Sequence, residues 1–154
     1  MKLLDFLGEE HIVTDIGRCD KVTAIERLVD RAVKILDKVD RSDVLRIIME
    51  REELGSTGIG GGVAIPHGKL PQLDKMTILV GRSREGVDFD AIDNAPVNII
   101  FLLLAPDDAA TVYLKVLARI SKMLKREGVL TRLLEVESEA ALLATIDEID
   151  SLSL

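Results

Sequence analysis

The chain of 154 residues has no Trp, one Tyr and three Phe, so aromatic residues make up only 3% of it. With so few flat faces for bases to stack on, single-stranded nucleic acid is a poor partner. Positive charge is scarce as well. Twenty Lys and Arg stand against 27 Asp and Glu, for a net charge of −7. A phosphate backbone is repelled on average, and no Lys/Arg cluster is dense enough to reverse this locally, so no nucleic-acid partner is expected. The acidic surface instead favours a basic protein partner through long-range steering. There is one cysteine, Cys19, and no Cys or His lies near it at metal-ligand spacing. An internal disulfide is therefore impossible, and the thiol is read as structural or incidental. No apolar run is long enough to span a membrane. Met1–Glu10 turns acidic too early for a signal peptide, so the expected compartment is the cytoplasm.

What is present suits a folded domain. Apolar residues make up 47% and charged residues 31%. That balance excludes disorder, and the length fits one domain with a full core over residues 1–154.

The periodicity gives an order of elements. His11–Ile16 alternates weakly and reads as a short strand. Thr23–Asp37 places Ile25, Leu28, Val29, Ala32, Val33 and Leu36 on one helical face. Thr23 with Glu26 reads as a capping box at its start. Ser42–Glu53 is a second helix, with Ser42 as its cap. Leu54–Gly62 is unpatterned and glycine-rich. Val63–Pro66 is a short β-branched strand ending at His67, and Met76–Gly81 is another strand. Val87–Asn94 reads as a turn-rich connection. Val97–Leu104 has one polar member, Asn98, and fits a central strand covered on both faces. Thr111–Arg126 is apolar nearly all round and is expected to be deeply packed. A short helix follows Gly128, and a last one runs from Ser138 through Ile146. The order β-α-α-β-β-β-α-α-α is not the strict alternation of a doubly wound fold. It predicts an α+β chain with a mixed sheet and helices on both faces.

One segment carries chemistry. Gly58–Gly68 reads Gly-Ile-Gly-Gly-Gly-Val-Ala-Ile-Pro-His-Gly and places one of only two histidines after a glycine run. The run is not a dinucleotide fingerprint, which needs a strand before it and a helix after, and it lacks the Gly-Lys-Ser/Thr ending of a P-loop. On composition alone it is either a flexible connection or a set of unshielded amides facing an anion. A single histidine at a strand end is ordinarily a satisfied polar group. Pro66 and Gly68 on its flanks argue for a presented one. Arg51, near the end of the second helix, is either a solvated charge or a fixed cation beside a phosphoryl oxygen. No Ser or Cys stands in a nucleophile elbow, which weakens a hydrolase reading. Glu52, Asp88, Asp90, Asp107 and Asp108 are read as exposed acids that could together rim a docking surface for a basic protein.

These residues carry a resemblance. Arg51-Glu52-Glu53-Leu54, then Gly58–Gly62 and Val63-Ala64-Ile65-Pro66-His67-Gly68, resembles the active-site signature of the enzyme IIA proteins of the bacterial phosphotransferase system, fructose/mannitol type. The sixteen-residue step from Arg51 to His67 matches, as do Gly86-Val87-Asp88-Phe89 with Asp93, Pro96 and Val97. So do the strand into Ala105-Pro106 and the segment Leu114–Ile120. The likeness covers nearly the whole chain, and a stand-alone domain of this size is most similar to the nitrogen-regulatory branch.

The resemblance implies a three-layer α/β/α fold. It implies His67 as the phosphorylated residue, with Arg51 beside it and no metal or cofactor. The expected donor is an HPr-like phosphocarrier protein. The expected recipient is a IIB domain or a regulatory target, with signalling by phosphorylation state as the alternative to onward transfer. Gly62 and Gly68 are expected to offer amides to the phosphoryl group. Many members carry a second histidine where this chain has Tyr113, in Tyr113-Leu114-Lys115-Val116-Leu117. Tyr113 can donate an O–H there but brings no positive charge.

Overall fold

The computed structural model describes residues 1–152. Two 3-10 turns, Leu3–Asp5 and Glu9–His11, precede β1 (Ile12–Val13) and β2 (Cys19–Asp20). Helices α1 (Lys21–Ile35) and α2 (Arg41–Glu53) follow. Next come β3 (Gly58–Gly60), β4 (Val63–Ala64), β5 (His67–Lys69), β6 (Thr77–Asp88) and β7 (Val97–Ala105). Helices α3 (Ala110–Leu124), α4 (Val129–Glu135) and α5 (Glu139–Leu152) complete the described chain.

Among the described residues, seven strands form one mixed sheet in the order β1-β6-β7-β4-β3, with β2 also on β6 and β5 also on β7. The pair β6–β7 is antiparallel, while β4 and β5 run parallel to β7. Side chains of β7 alternate between two cores, as a pleated strand requires. Ile99, Phe101 and Leu103 pack with Val116, Ile120, Leu142 and Ile146 of α3 and α5. Ile100, Leu102 and Leu104 pack with Ile25, Leu28, Val29, Val44 and Ile48 of α1 and α2. The expected three layers are therefore present. Each fully buried aliphatic side chain of β7 contributes about 1.5–3 kcal/mol.

Several boundaries differ from those the sequence suggested, each for a physical reason. The cap of α1 is Asp20, whose carboxylate accepts from Thr23 N–H at 3.0 Å, so Thr23 lies inside the helix. The cap of α2 is Asp40, accepting from Asp43 N–H at 3.2 Å, and not Ser42. Strand β6 continues past Gly81 through charged residues because Arg82 is buried and donates to the carbonyls of Thr14 and Leu133. Helix α5 continues past Ile146 because Asp150 is fully buried, accepting from Leu3 N–H and Arg119. Helix α3 is not buried all round: Leu114 is 62% and Val112 38% exposed.

Candidate active site

The glycine run is a hairpin turn. Gly60 pairs with Val63, which leaves Gly61 and Gly62 as a two-residue loop with φ of +66° and +81°. Positive φ at both central residues is the sign pattern of a type I′ hairpin, whose twist suits the flanking strands and which glycine fills without strain. Strands β4 and β5 keep one register on β7, Val63 opposite Ile99 and His67 opposite Leu103. The stretch is thus extended, and Gly62 lies ~16 Å from His67 at ~3.3 Å per residue. The expectation that Gly62 lends an amide to a group on His67 is not met.

Pro66 divides the two strands. It has no N–H to give to β7, while its carbonyl accepts from Leu103 N–H at 2.9 Å. Beyond it, among the described residues β5 pairs only with β7 and leaves its other edge open. Helices of both outer layers reach His67 at this open edge.

From α2 comes Arg51. Its Nε–H donates to His67 Nε2 at 3.2 Å, and its Nη1 donates to the Gly55 carbonyl at 2.9 Å. On the far side of the ring, His67 Nδ1 lies 2.9 Å from the Ile65 carbonyl. A carbonyl only accepts, so Nδ1 carries the proton and Nε2 the lone pair. The contact with Arg51 requires the same neutral tautomer, since two N–H groups cannot face each other. Burial pushes the His67 pKa below its ordinary value. The Ile65 bond opposes this, Arg51 adds to it, and Glu52 opposes it.

From α3 comes Tyr113, buried, with its ring edge-on to His67 at 5.4 Å between centroids and 63° between planes. Burial raises its pKa to about 12, with Arg51 pulling the other way. It is a neutral phenol near pH 7, and its hydroxyl has no hydrogen-bond partner among the described residues.

Gly68 acts by lacking a side chain. A Cβ there would lie 2.7 Å from Ile47 Cγ2, one helical turn before Arg51. Its absence lets α2 sit close enough for Arg51 to reach the ring. The parallel register turns the Gly68 amide toward the Leu103 carbonyl of β7, so this amide serves the sheet rather than the ring.

Sequence reasoning placed Glu52 on an exposed rim. It is buried instead, accepting from Thr57 N–H at 3.1 Å and from the Thr57 hydroxyl, with Lys21 Nζ at 3.0 Å. A backbone carbonyl is expected to hold the second ring nitrogen, but only the structure identifies it as that of Ile65, and the Gly55 carbonyl that orients the guanidinium leaves no mark on composition either. Asp88, Asp90, Asp107 and Asp108 are exposed as expected. Among the described residues no three His, Cys, Asp or Glu side chains gather as a metal site, and no helix is long and apolar enough to cross a membrane.

Residues 5–149 match the family model described as phosphoenolpyruvate-dependent sugar phosphotransferase system, EIIA 2. A nitrogen regulatory protein of Bradyrhizobium diazoefficiens is 38% identical over 133 residues, 86% of each chain. A fructose-specific EIIA component of the phosphotransferase system in Haloferax volcanii is 38% identical over 129 residues, 84% of each. The crystal structure of nitrogen regulatory protein IIA-Ntr from Neisseria meningitidis superposes with a TM-score of 0.86 at 34% identity, covering 92% of this chain and 97% of that one.

Proposed function

Because the chain belongs to the EIIA type 2 family of the phosphoenolpyruvate-dependent sugar phosphotransferase system, we propose that His67 accepts a phosphoryl group on Nε2 from an HPr-like phosphocarrier. The observation that carries this reading is the pair of bonds on the imidazole. Ile65 holds the proton on Nδ1, and the lone pair on Nε2 accepts from the Arg51 guanidinium.

The transfer needs little from the protein beyond position and charge. The Nε2 lone pair forms the new N–P bond while the P–N bond to the donor imidazole breaks and its electron pair returns to that ring. The transition state is loose, with charge spread over three oxygens. Arg51 is the group to meet that charge, shifting from Nε2 to the phosphoryl oxygens as the lone pair is used. The His67 ring becomes cationic on attack, and its Nδ1–H bond to Ile65 strengthens accordingly. Tyr113 supplies a neutral O–H in the place of the family's second histidine. No step calls for a metal.

Leu54, 86% exposed just past the helix that carries Arg51, and Leu114, 62% exposed and following Tyr113 in α3, offer apolar surface suited to a protein partner. The recipient is a IIB domain or a regulatory target, in the cytoplasm, with 1–154 acting as one domain. Relatives of both kinds match equally well, so identity does not choose between sugar transport and nitrogen regulation. Similarity to nitrogen regulatory proteins supports signalling by phosphorylation state as the second reading.

The test is incubation with phosphoenolpyruvate, enzyme I and a phosphocarrier. Acid-labile, base-stable label is expected on His67 and absent from His67→Ala. Label retained by His67→Ala would defeat the assignment. Label that passes to a IIB domain supports carriage, and label that stays supports signalling.

A further inference from the structure

A line of contacts runs from the start of α1 to the imidazole. Lys21 Nζ lies 3.0 Å from Glu52 Oε1 and 4.9 Å from the centroid of the buried Phe89 ring. Glu52 accepts from both the amide and the hydroxyl of Thr57. The Thr57 carbonyl accepts from Ile65 N–H at 3.0 Å, and the Ile65 carbonyl faces His67 Nδ1 at 2.9 Å. Between Glu52 and Thr57, the Gly55 carbonyl anchors Arg51. The segment that Glu52 grips therefore sets both neighbours of the ring.

We propose that Glu52 and Lys21 are positioning residues for His67: their largely buried ion pair holds Thr57 against Ile65 and, through the Ile65 carbonyl, selects the tautomer that leaves Nε2 unprotonated. Stability alone is a poor reason for such a pair, because taking two charges out of water costs much of what their attraction returns. Fixing one arrangement is a better one. Each link after Glu52 passes through main chain, so displacing Thr57 displaces the acceptor of the Nδ1 proton. The inference draws its consequence from the phosphoryl-acceptor reading, but the tautomer is measured with no phosphoryl donor present.

The experiment uses the full 15N-labelled chain and long-range proton–nitrogen spectra of its two imidazoles across pH. His11 is an internal control. Its Nδ1 accepts from Gly8 N–H at 2.9 Å, so it holds the opposite tautomer and lies off this line. The charged and titratable groups facing His67 are Arg51 and Glu52 of α2 and Tyr113 of α3. In the unaltered protein His67 shows the Nδ1–H tautomer. In Glu52→Gln, with the Ile65 carbonyl and the Gly55 anchor of Arg51 both loosened, it becomes a mixture with Nε2–H, and its titration midpoint falls, since the lost carboxylate and the weakened Ile65 bond both favoured the charged ring. Lys21→Met follows Glu52→Gln, and Lys21→Arg retains the native signals. His11 stays unchanged throughout. A folded Glu52→Gln with native His67 signals overturns the inference. Should Glu52→Gln fail to fold, Thr57→Val breaks the hydroxyl bond and keeps the amide; unmoved His67 signals there overturn it equally. Altered ring signals in the variants, together with no label on the unaltered protein, would sustain this inference and remove the acceptor reading. Normal uptake with unaltered ring signals in the variants would do the reverse.

Discussion

Arg51 Nε stands 3.2 Å from His67 Nε2, so the nitrogen proposed as nucleophile is held unprotonated by the group proposed to meet the incoming charge. Arg51→Ala is expected to slow label uptake by about 10²–10³-fold, the usual cost of deleting one preorganised donor. Arg51→Lys is expected to recover part of it, because an ammonium lacks the planar fork. Quench-flow uptake of label checks this; equal rates for Arg51→Ala and the unaltered chain would leave the guanidinium without a role.

The His67 pKa lies below its ordinary value, so protonation favours the unfolded chain. Unfolded chains then bind more protons between the folded pKa and about 6.5, and stability rises with pH across that window and levels off above it. Burial lowers the His11 pKa in the same direction. The acid-side fall in Tm should therefore be shallower in His67→Gln and shallowest when His11→Gln is added. Label uptake should fall over the acid part of the same range, as Nε2 gains a proton. Thermal melts between neutral and mildly acid pH decide it, and parallel curves would contradict the half-buried neutral rings.

Gly68→Ala places a Cβ 2.7 Å from Ile47 Cγ2. Overpacking of this kind costs about 1–3 kcal/mol, and here it also lifts Arg51 from the ring. Loss of both stability and uptake is expected, with partial recovery in Gly68→Ala combined with Ile47→Ala, since neighbouring sites do not add independently. Purely additive losses in the double-mutant cycle would place the two residues out of contact.

Gly62→Ala meets a left-handed φ of +81° and a Leu130 side-chain carbon at 2.8 Å. A cost of about 1–3 kcal/mol is expected from the strained backbone. Uptake per folded molecule should not change, because the hairpin turn lies far along the strand from His67. A specific loss of uptake with native stability would return the glycine run to the site.

Tyr113→Phe keeps the ring contact and removes the hydroxyl, while Tyr113→His offers a second imidazole. The half-life of the phosphorylated protein is expected to shorten in the first and lengthen in the second, each by about 2- to 10-fold, matching ~0.5–1.5 kcal/mol for one hydrogen bond. Unchanged half-lives in both would mean that Tyr113 does not face the phosphoryl group.

The amino-acid sequence by itself determined the layers and singled out His67 as the residue to propose as acceptor. Period-3.6 stripes in α1, the unbroken apolar run of β7, and the Pro66-His67-Gly68 step after Arg51 are local patterns, and local patterns are written in residue order. Tertiary structure alone decided what surrounds the ring. The glycine run looked like an anion cradle because composition does not distinguish a hairpin turn from a binding loop; the register on β7 does. Arg82 and Asp150 hid the ends of β6 and α5, because a buried charge reads as a surface one until its partners, far away in the chain, are known. Glu52 reads as a rim acid in the sequence for the same reason. The tautomer of His67 depends on a carbonyl, and every residue has one, so only the folded chain could say which carbonyl it is.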